Sequence, residues 1–359
     1  MTHTSSSQGQ AFAARRPVLG ALRRLAFAAA AFGAALGQAF AEPALDKTEI
    51  RYQGWAGQVS FHELAEDLGY LAPLKLKYVG NTISGPQDIQ SVATGDVDIG
   101  GAFYGAVIKL IAAKAPVKAV IGNYGSDDNT WQGFFVKDDS PIRGPRDLIG
   151  KKVAVNTLGA HLEFVLREYL TRGGLTAEEI RQVTLVVVPP VTGEQALRQG
   201  QVEVTTLAGV LRDKALERGG IRKLFSDIEL FGHFTGGPYV LHTKFIRDNP
   251  AAARKLVEGI ARAIEWERTT PPSEVRARFE KIIAARKRNE DASAIKYWNS
   301  TGIADPGGVI TDQQLQVWID WLVKDGTLKA GQLKAADLYT NEFNPYAAET
   351  SAKTTGAAK

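Results

Sequence analysis

Two stretches of the chain carry the same unit. Residues 84–100, SGPQDIQSVATGDVDIG, open on a glycine-proline turn, continue as a short amphipathic helix, stop at a glycine and pass into an alternating Asp-Val-Asp-Ile strand. Residues 192–206, TGEQALRQGQVEVTT, do nearly the same. Aligning Gly95 with Gly200 sets Val97 on Val202 and Ile99 on Val204, the inward positions of each strand. A glycine just past the last helical residue supplies the left-handed backbone that ends a helix. A chain that builds this unit twice is expected to hold one copy in each of two lobes, although helix-glycine-strand units also recur without relation in any parallel α/β chain.

Around each copy, short apolar runs alternate with helical patterns. The periodicity predicts strands at residues 49–54, 74–79, 97–102 and 117–121, with helices at 61–71, 86–94 and 106–113 between them. A second cycle predicts strands at 152–155, 184–188, 202–206 and 223–225. Its helices fall at 161–171, after the Thr176-Ala-Glu-Glu179 capping box, at 194–199 and at 210–218. Such alternation implies mainly parallel sheets with helices on their faces. The two cycles join near residues 129–136. After Gly236-Gly237-Pro238-Tyr239 no sheet-forming run is expected; Asn249-Pro250, Pro271-Pro272 and residues 313–322 start or carry helices that must pack on one of the lobes.

The first residues are a different material. Arg15-Arg16 and Arg23-Arg24 precede an apolar run closing in Ala39-Phe40-Ala41, the order of a secretory signal peptide cleaved near Ala41, with either the general or the twin-arginine export route open. Those four arginines leave 39 basic against 39 acidic side chains in the mature chain, so nothing points to a nucleic-acid partner. The chain contains no cysteine, which excludes disulfides, thiolate metal sites and cysteine catalysis.

At this point the sequence resembles the solute-binding proteins of ABC importers in the nitrate, sulfonate and taurine group, which have the type II periplasmic binding fold. The resemblance rests on an ordered set of motifs: Ile50-Arg-Tyr-Gln-Gly-Trp-Ala56, Ser84-Gly-Pro86, Gly95-Asp-Val-Asp-Ile-Gly100, Asp147-Leu-Ile-Gly-Lys-Lys-Val-Ala-Val155, Leu197-Arg-Gln-Gly-Gln-Val-Glu203, Trp318-Ile-Asp-Trp-Leu322 and Asp337-Leu-Tyr-Thr-Asn341. It implies a monomer of two lobes, each a mainly parallel sheet flanked by helices, with a C-terminal helical extension and a solute in the cleft between them. The expected division is a signal peptide at 1–41, a first lobe from 42–132 and 236–345, a second lobe at 133–235 and a tail at 346–359. The implied partners are a small anionic solute and an inner-membrane permease; the location is the periplasm. No cofactor, metal or catalytic residue is expected.

Strand carboxyl ends and helix amino ends share one edge of such a sheet, and ligands sit there. Each helix start presents unpaired N–H groups and about half a positive charge, enough to hold an oxyanion without a lysine or arginine. Ser84 and Gly85 before Pro86, and Thr157, Gly159, Ala160 and His161 in the second lobe, are the candidate starts. Each is equally readable as an ordinary cap or turn, and a lone histidine there as a solvated or capping residue. Trp55 and Gln58 after the first strand, Ala102, Phe103 and Tyr104 after the third, and Leu207 complete the candidate ligand-binding set; in the resembling proteins a bulky aromatic often stands where Leu207 is. Sulfonates and taurine fit these donors, and nitrate, bicarbonate or aromatic carboxylates use the same ones. A thiamine or pyrimidine precursor instead calls for carboxylates and stacked aromatics, with Asp127, Asp128 and Trp131 as the residues to watch. The cysteine-dependent synthases on this fold lack their key residue here. Arg286-Lys-Arg288 beside Glu290-Asp291 reads as a solvated helix end, and Trp318 with Trp321 as packing.

Overall fold

The computed structural model describes residues 45–288 and 290–348, so the leader and nearly all of the tail lie outside the described residues. The chain begins with β1 (Glu49–Gly54), α1 (Phe61–Asp67), β2 (Lys75–Asn81), α2 (Gly85–Thr94), β3 (Ile99–Gly101), α3 (Tyr104–Ala112) and β4 (Val117–Ser126). It then forms β5 (Gln132–Lys137), β6 (Lys152–Val155), α4 (His161–Arg172), α5 (Ala177–Arg181), β7 (Thr184–Val187), α6 (Pro190–Arg198), β8 (Thr205–Ala208), α7 (Gly209–Glu217) and β9 (Ile221–Ser226). After α8 (Asp227–Phe231) come β10 (Phe234–His242), α9 (Thr243–Asp248), α10 (Pro250–Thr269), α11 (Pro272–Arg286) and α12 (Asp312–Lys324).

The first sheet has the order β2-β1-β3-β10-β4. Strands β1, β2 and β3 run parallel, while β10 runs antiparallel to both β3 and β4. In the second group β6 lies parallel to β7, and β5 lies antiparallel between β8 and β9. A parallel bridge from Val153 to Val204 joins β6 to the chain entering β8. Reading β7-β6-β8-β5-β9 therefore repeats the order of the first sheet. In each, the antiparallel strand is the one that has just crossed from the other sheet: β5 after β4, β10 after β9. These mixed α/β sheets flanked by helices have the type II periplasmic binding architecture.

Both crossing strands depart from the sequence expectation. The join expected near residues 129–136 holds β5, whose Phe134, Phe135 and Val136 are fully buried. The expectation that no sheet-forming run follows Gly236-Gly237-Pro238-Tyr239 is corrected in place: those residues lie inside β10, which runs on to His242, and the helices begin only after it. Proline has no N–H for a ladder and reads as a turn or an edge. Here three register shifts along the β10–β4 pairing accommodate it. A Cβ on Gly237 would run into the Ala102 carbonyl, and one on Gly236 would stand 2.7 Å from the Tyr124 ring, so the glycines serve close approach rather than a turn.

Each sheet is covered on both faces. On the first, Ile50, Leu64 and Tyr239 pack with Leu256, Val257, Ile260 and Ile264 of α10, whose first residue Pro250 stands at a helix start where proline costs no bond. On the other face, Ile89 and Val92 of α2 and Val107 and Ile108 of α3 meet Leu315, Trp318 and Leu322 of α12. Burying each such side chain contributes roughly 1.5–3 kcal/mol. The C-terminal helices thus belong to the first sheet.

Candidate functional site

Among the described residues, six helices of seven residues or more follow strands at the carboxyl edges of the two sheets: α1, α2, α3, α4, α6 and α7. Ser60 caps α1 through a complete capping box. The other five start at Ser84, Phe103, Ala160, Pro189 and Ala208 with no side-chain cap. Their first N–H groups are left for a ligand or solvent.

Two of these starts meet. Ser84 Oγ lies 3.3 Å from Thr157 Oγ1, joining the α2 start of the first sheet to the loop before α4 of the second. Gly85 lets its chain close on Ala102, to which an added Cβ would come within 3.0 Å. The Phe103 ring stacks on His161, with centroids 4.9 Å apart and planes 8° from parallel. Ala160 is buried at the α4 start, and the Gly159 N–H donates to Glu163 Oε2 at 2.7 Å.

The ring of His161 is turned toward the crossings. Gln132 Nε2 lies 2.8 Å from its Nδ1 and donates there, which puts the remaining proton on Nε2, 3.5 Å from Asp227 Oδ2. Asp227 in turn accepts from Ser126 Oγ at 2.7 Å and the Gln132 N–H at 3.0 Å, so it ties the two crossings together. Burial lowers the His161 pKa to about 3 and raises that of Asp227 to about 6. The imidazole is neutral at physiological pH.

The remaining candidates make contacts of their own. Trp55 is half-exposed and Gln58 exposed in one turn, closed by the Gln58 N–H donating to the Trp55 carbonyl at 3.1 Å. Tyr104 is fully buried, its hydroxyl donating to Gln314 Oε1 at 2.9 Å, and Leu207 sits in the core beside Phe135. Asp127 accepts from the N–H groups of Asn129 and Thr130 and from Ser300 Oγ. Asp128 faces His233 at 3.0 Å. The Trp131 ring lies 4.1 Å from the Arg212 guanidinium. Among the described residues no group of three histidine or acidic side chains stands ready for a metal ion.

The Arg286–Arg288 segment is not a solvated helix end. Arg286 Nη1 donates to Glu63 at 2.9 Å and its Nη2 to Glu290 at 2.5 Å, with 6% of the side chain exposed. Arg288 donates to the Tyr52 hydroxyl at 2.6 Å and covers the Tyr78 ring at 3.5 Å. Burial alone would raise the Glu63 pKa, but His62, Arg286 and the Tyr52 hydroxyl outweigh it and hold the carboxyl below its usual value. Sequence reading missed this because the partners stand on β1 and α1. It likewise passed over Asp88, Gln132 and Asp227, whose only sequence signal is a polar residue next to a strand end or a helix start, and Lys109, a cation in the last turn of a helix.

Two mixed sheets of the same strand order, meeting at uncapped helix starts, make up the type II periplasmic binding fold. The chain belongs to the NMT1/THI5-like family, whose model matches residues 63–273. No curated protein matches it. Among solved structures it is similar to the alkanesulfonate-binding protein SsuA from Xanthomonas axonopodis pv. citri bound to MOPS, with 19% identity and a TM-score of 0.64 over 83% of this chain and 99% of that one. It is also similar to the periplasmic nitrate-binding protein NrtA from Synechocystis PCC 6803, with 14% identity and a TM-score of 0.65 over 86% and 90%. The desulfurization enzyme DSZB matches with 17% identity and a TM-score of 0.55 over 85% and 100%.

Proposed function

We propose that the protein is the extracytoplasmic solute-binding component of an ABC import system, capturing a small oxyanion between its two sheets and handing it to a permease in the inner membrane. The observation that carries this reading is the meeting of Ser84 and Thr157 at 3.3 Å, two hydroxyls beside uncapped helix starts on opposite sheets. An oxyanion entering between them would receive both O–H groups and the N–H groups that open α2 and α4. The SsuA and NrtA likenesses support a sulfonate first and nitrate second. The absence of cysteine excludes the cysteine-dependent chemistry that the alternative of an enzyme on this fold would call on. Among the described residues no helix is long and apolar enough to cross a membrane, and the leader pattern supports export to the periplasm.

The test is a thermal-shift and calorimetric screen of the leaderless chain against ethanesulfonate, taurine, nitrate, benzoate and a thiamine precursor. A true ligand at a hundred times its Kd adds about 2.7 kcal/mol of stability. The Ser84→Ala, Thr157→Ala double variant should then weaken binding by at least about 100-fold, because each hydrogen bond to a charged group contributes about 1.5–3 kcal/mol. Stabilisation by neutral or cationic compounds alone would sink the anion reading.

A further inference from the structure

The loop before α4 is gripped from the opposite sheet by a residue outside the candidate set. Lys109, in the last turn of α3, donates from Nζ to the Gly159 carbonyl at 3.0 Å. Its ammonium also stands 5.3 Å from the centroid of the Phe164 ring. Gly159 has φ +70° and an added Cβ would lie 2.8 Å from Nζ, so glycine is needed both for the backbone and for the approach of the lysine.

The same residue is held from its own side. Its N–H donates to Glu163 Oε2 at 2.7 Å, and Glu163 Oε1 accepts from Arg167 Nε at 2.8 Å. One residue is therefore clamped at both polar groups, by its own helix and by the facing sheet. Gly159 lies two residues from Thr157, which makes the cross-sheet hydroxyl contact.

We propose that Lys109 is the positioning residue of the cleft: by holding the Gly159 carbonyl it keeps residues 157–161 closed against α2 and α3, and so sets how long the anion stays bound. The retention half of this statement rests on the anion-binding reading above, and the closure half does not. Lys109 makes a charge-assisted bond that exists only when the two sheets are together. The charged groups facing it are Glu163, Asp325 and Arg167. Half-burial costs the ammonium hydration and lowers its pKa. An opened cleft returns it to water.

The cysteine-free chain makes the test direct. Thr94→Cys and Gln199→Cys, both exposed, put one fluorophore on each body for single-molecule energy transfer. Without ligand, Lys109→Met should reduce the closed population severalfold while Lys109→Arg, which keeps a cationic donor, retains most of it. With ethanesulfonate as the probe, Lys109→Met should speed dissociation about tenfold and leave association within about twofold, the usual signature of a lost contact in the bound state. If ethanesulfonate fails to bind the wild type, the ligand-free closure shift still upholds the latch and only the sulfonate reading falls. A wild type with no closed population in either condition, a methionine variant indistinguishable from wild type, or an arginine variant no better than methionine overturns the proposal.

Discussion

The two helix-glycine-strand units have the same topology but settle one contact in opposite ways. With Gly95 on Gly200, Asp88 of α2 corresponds to Gly193 of α6, and Gly100 of β3 corresponds to Thr205 of β8. In the first unit the strand gives way: a Cβ on Gly100 would stand 2.9 Å from the Asp88 carbonyl oxygen and 3.0 Å from Val92. In the second the helix gives way: a Cβ on Gly193 would stand 2.9 Å from Thr205 Oγ1. One partner of the pair must be glycine, because helix and strand touch there, but the fold does not dictate which. The consequence is chemical. The first unit has a buried carboxyl accepting the Gly101 N–H at 2.7 Å, while the second has a buried hydroxyl whose oxygen finds no partner among the described residues.

The comparison breaks most readily at Gly100. Its obstacle is backbone, which cannot rotate away, so Gly100→Ala should cost about 3 kcal/mol, the upper range for overpacking a filled core. Equilibrium denaturation in urea measures it. A cost below about 1 kcal/mol would mean that the first unit can separate its helix from its strand, and the contact would lose its meaning.

Asp88 sharpens the comparison through pH. Burial raises its pKa to about 7, against the Gly101 N–H, which lowers it. The unfolded chain releases this proton near 3.8. As pH rises from about 4 to about 7 the unfolded state ionises while the folded state keeps its proton, so stability falls through that window; below it the loss vanishes. Asp88→Asn keeps an acceptor for Gly101 and cannot titrate. It should flatten that part of the profile and gain about 3 kcal/mol or more at pH 7.5, read from urea unfolding at several pH values. Parallel profiles for variant and wild type would show that the carboxyl is ionised in the folded protein.

The alternation of strands and helices was legible because each element carries its own period and its own stop signal: Gly95 and Gly200 have the positive φ expected of residues that follow a helix. The Ser84 and Thr157 starts were legible for the same reason, since a hydroxyl ahead of a helix is local chemistry. What stayed hidden depends on partners far along the chain. Gly236 and Gly237 look like a turn until Tyr124 and Ala102 are brought against them. Arg286 and Arg288 look solvated until Glu63 and Tyr52 lie beneath them. The ring of His161 accepts from Gln132 and stands 3.5 Å from Asp227, residues of two different crossings, and no spacing in the sequence announces that.

The smallest effect belongs to the second unit. The obstacle to a methyl at Gly193 is a side-chain oxygen, which can be removed without touching the backbone. Gly193→Ala should cost about 1 kcal/mol, and Thr205→Ala in that background should recover most of it, because the oxygen it deletes makes no hydrogen bond. Thr205→Ala alone should cost about 0.5 kcal/mol, the loss of a little packing. The four proteins form a cycle whose interaction energy should be about 1–1.5 kcal/mol in favour of the double variant. The same rescue is impossible at Gly100, where the opposing atom is a peptide oxygen. Unequal rescue in the two units, rather than unequal cost, therefore distinguishes a contact set by the backbone from one set by a side chain. A Gly193→Ala variant that is as damaged as Gly100→Ala and not relieved by Thr205→Ala would place the limit in the backbone of both units.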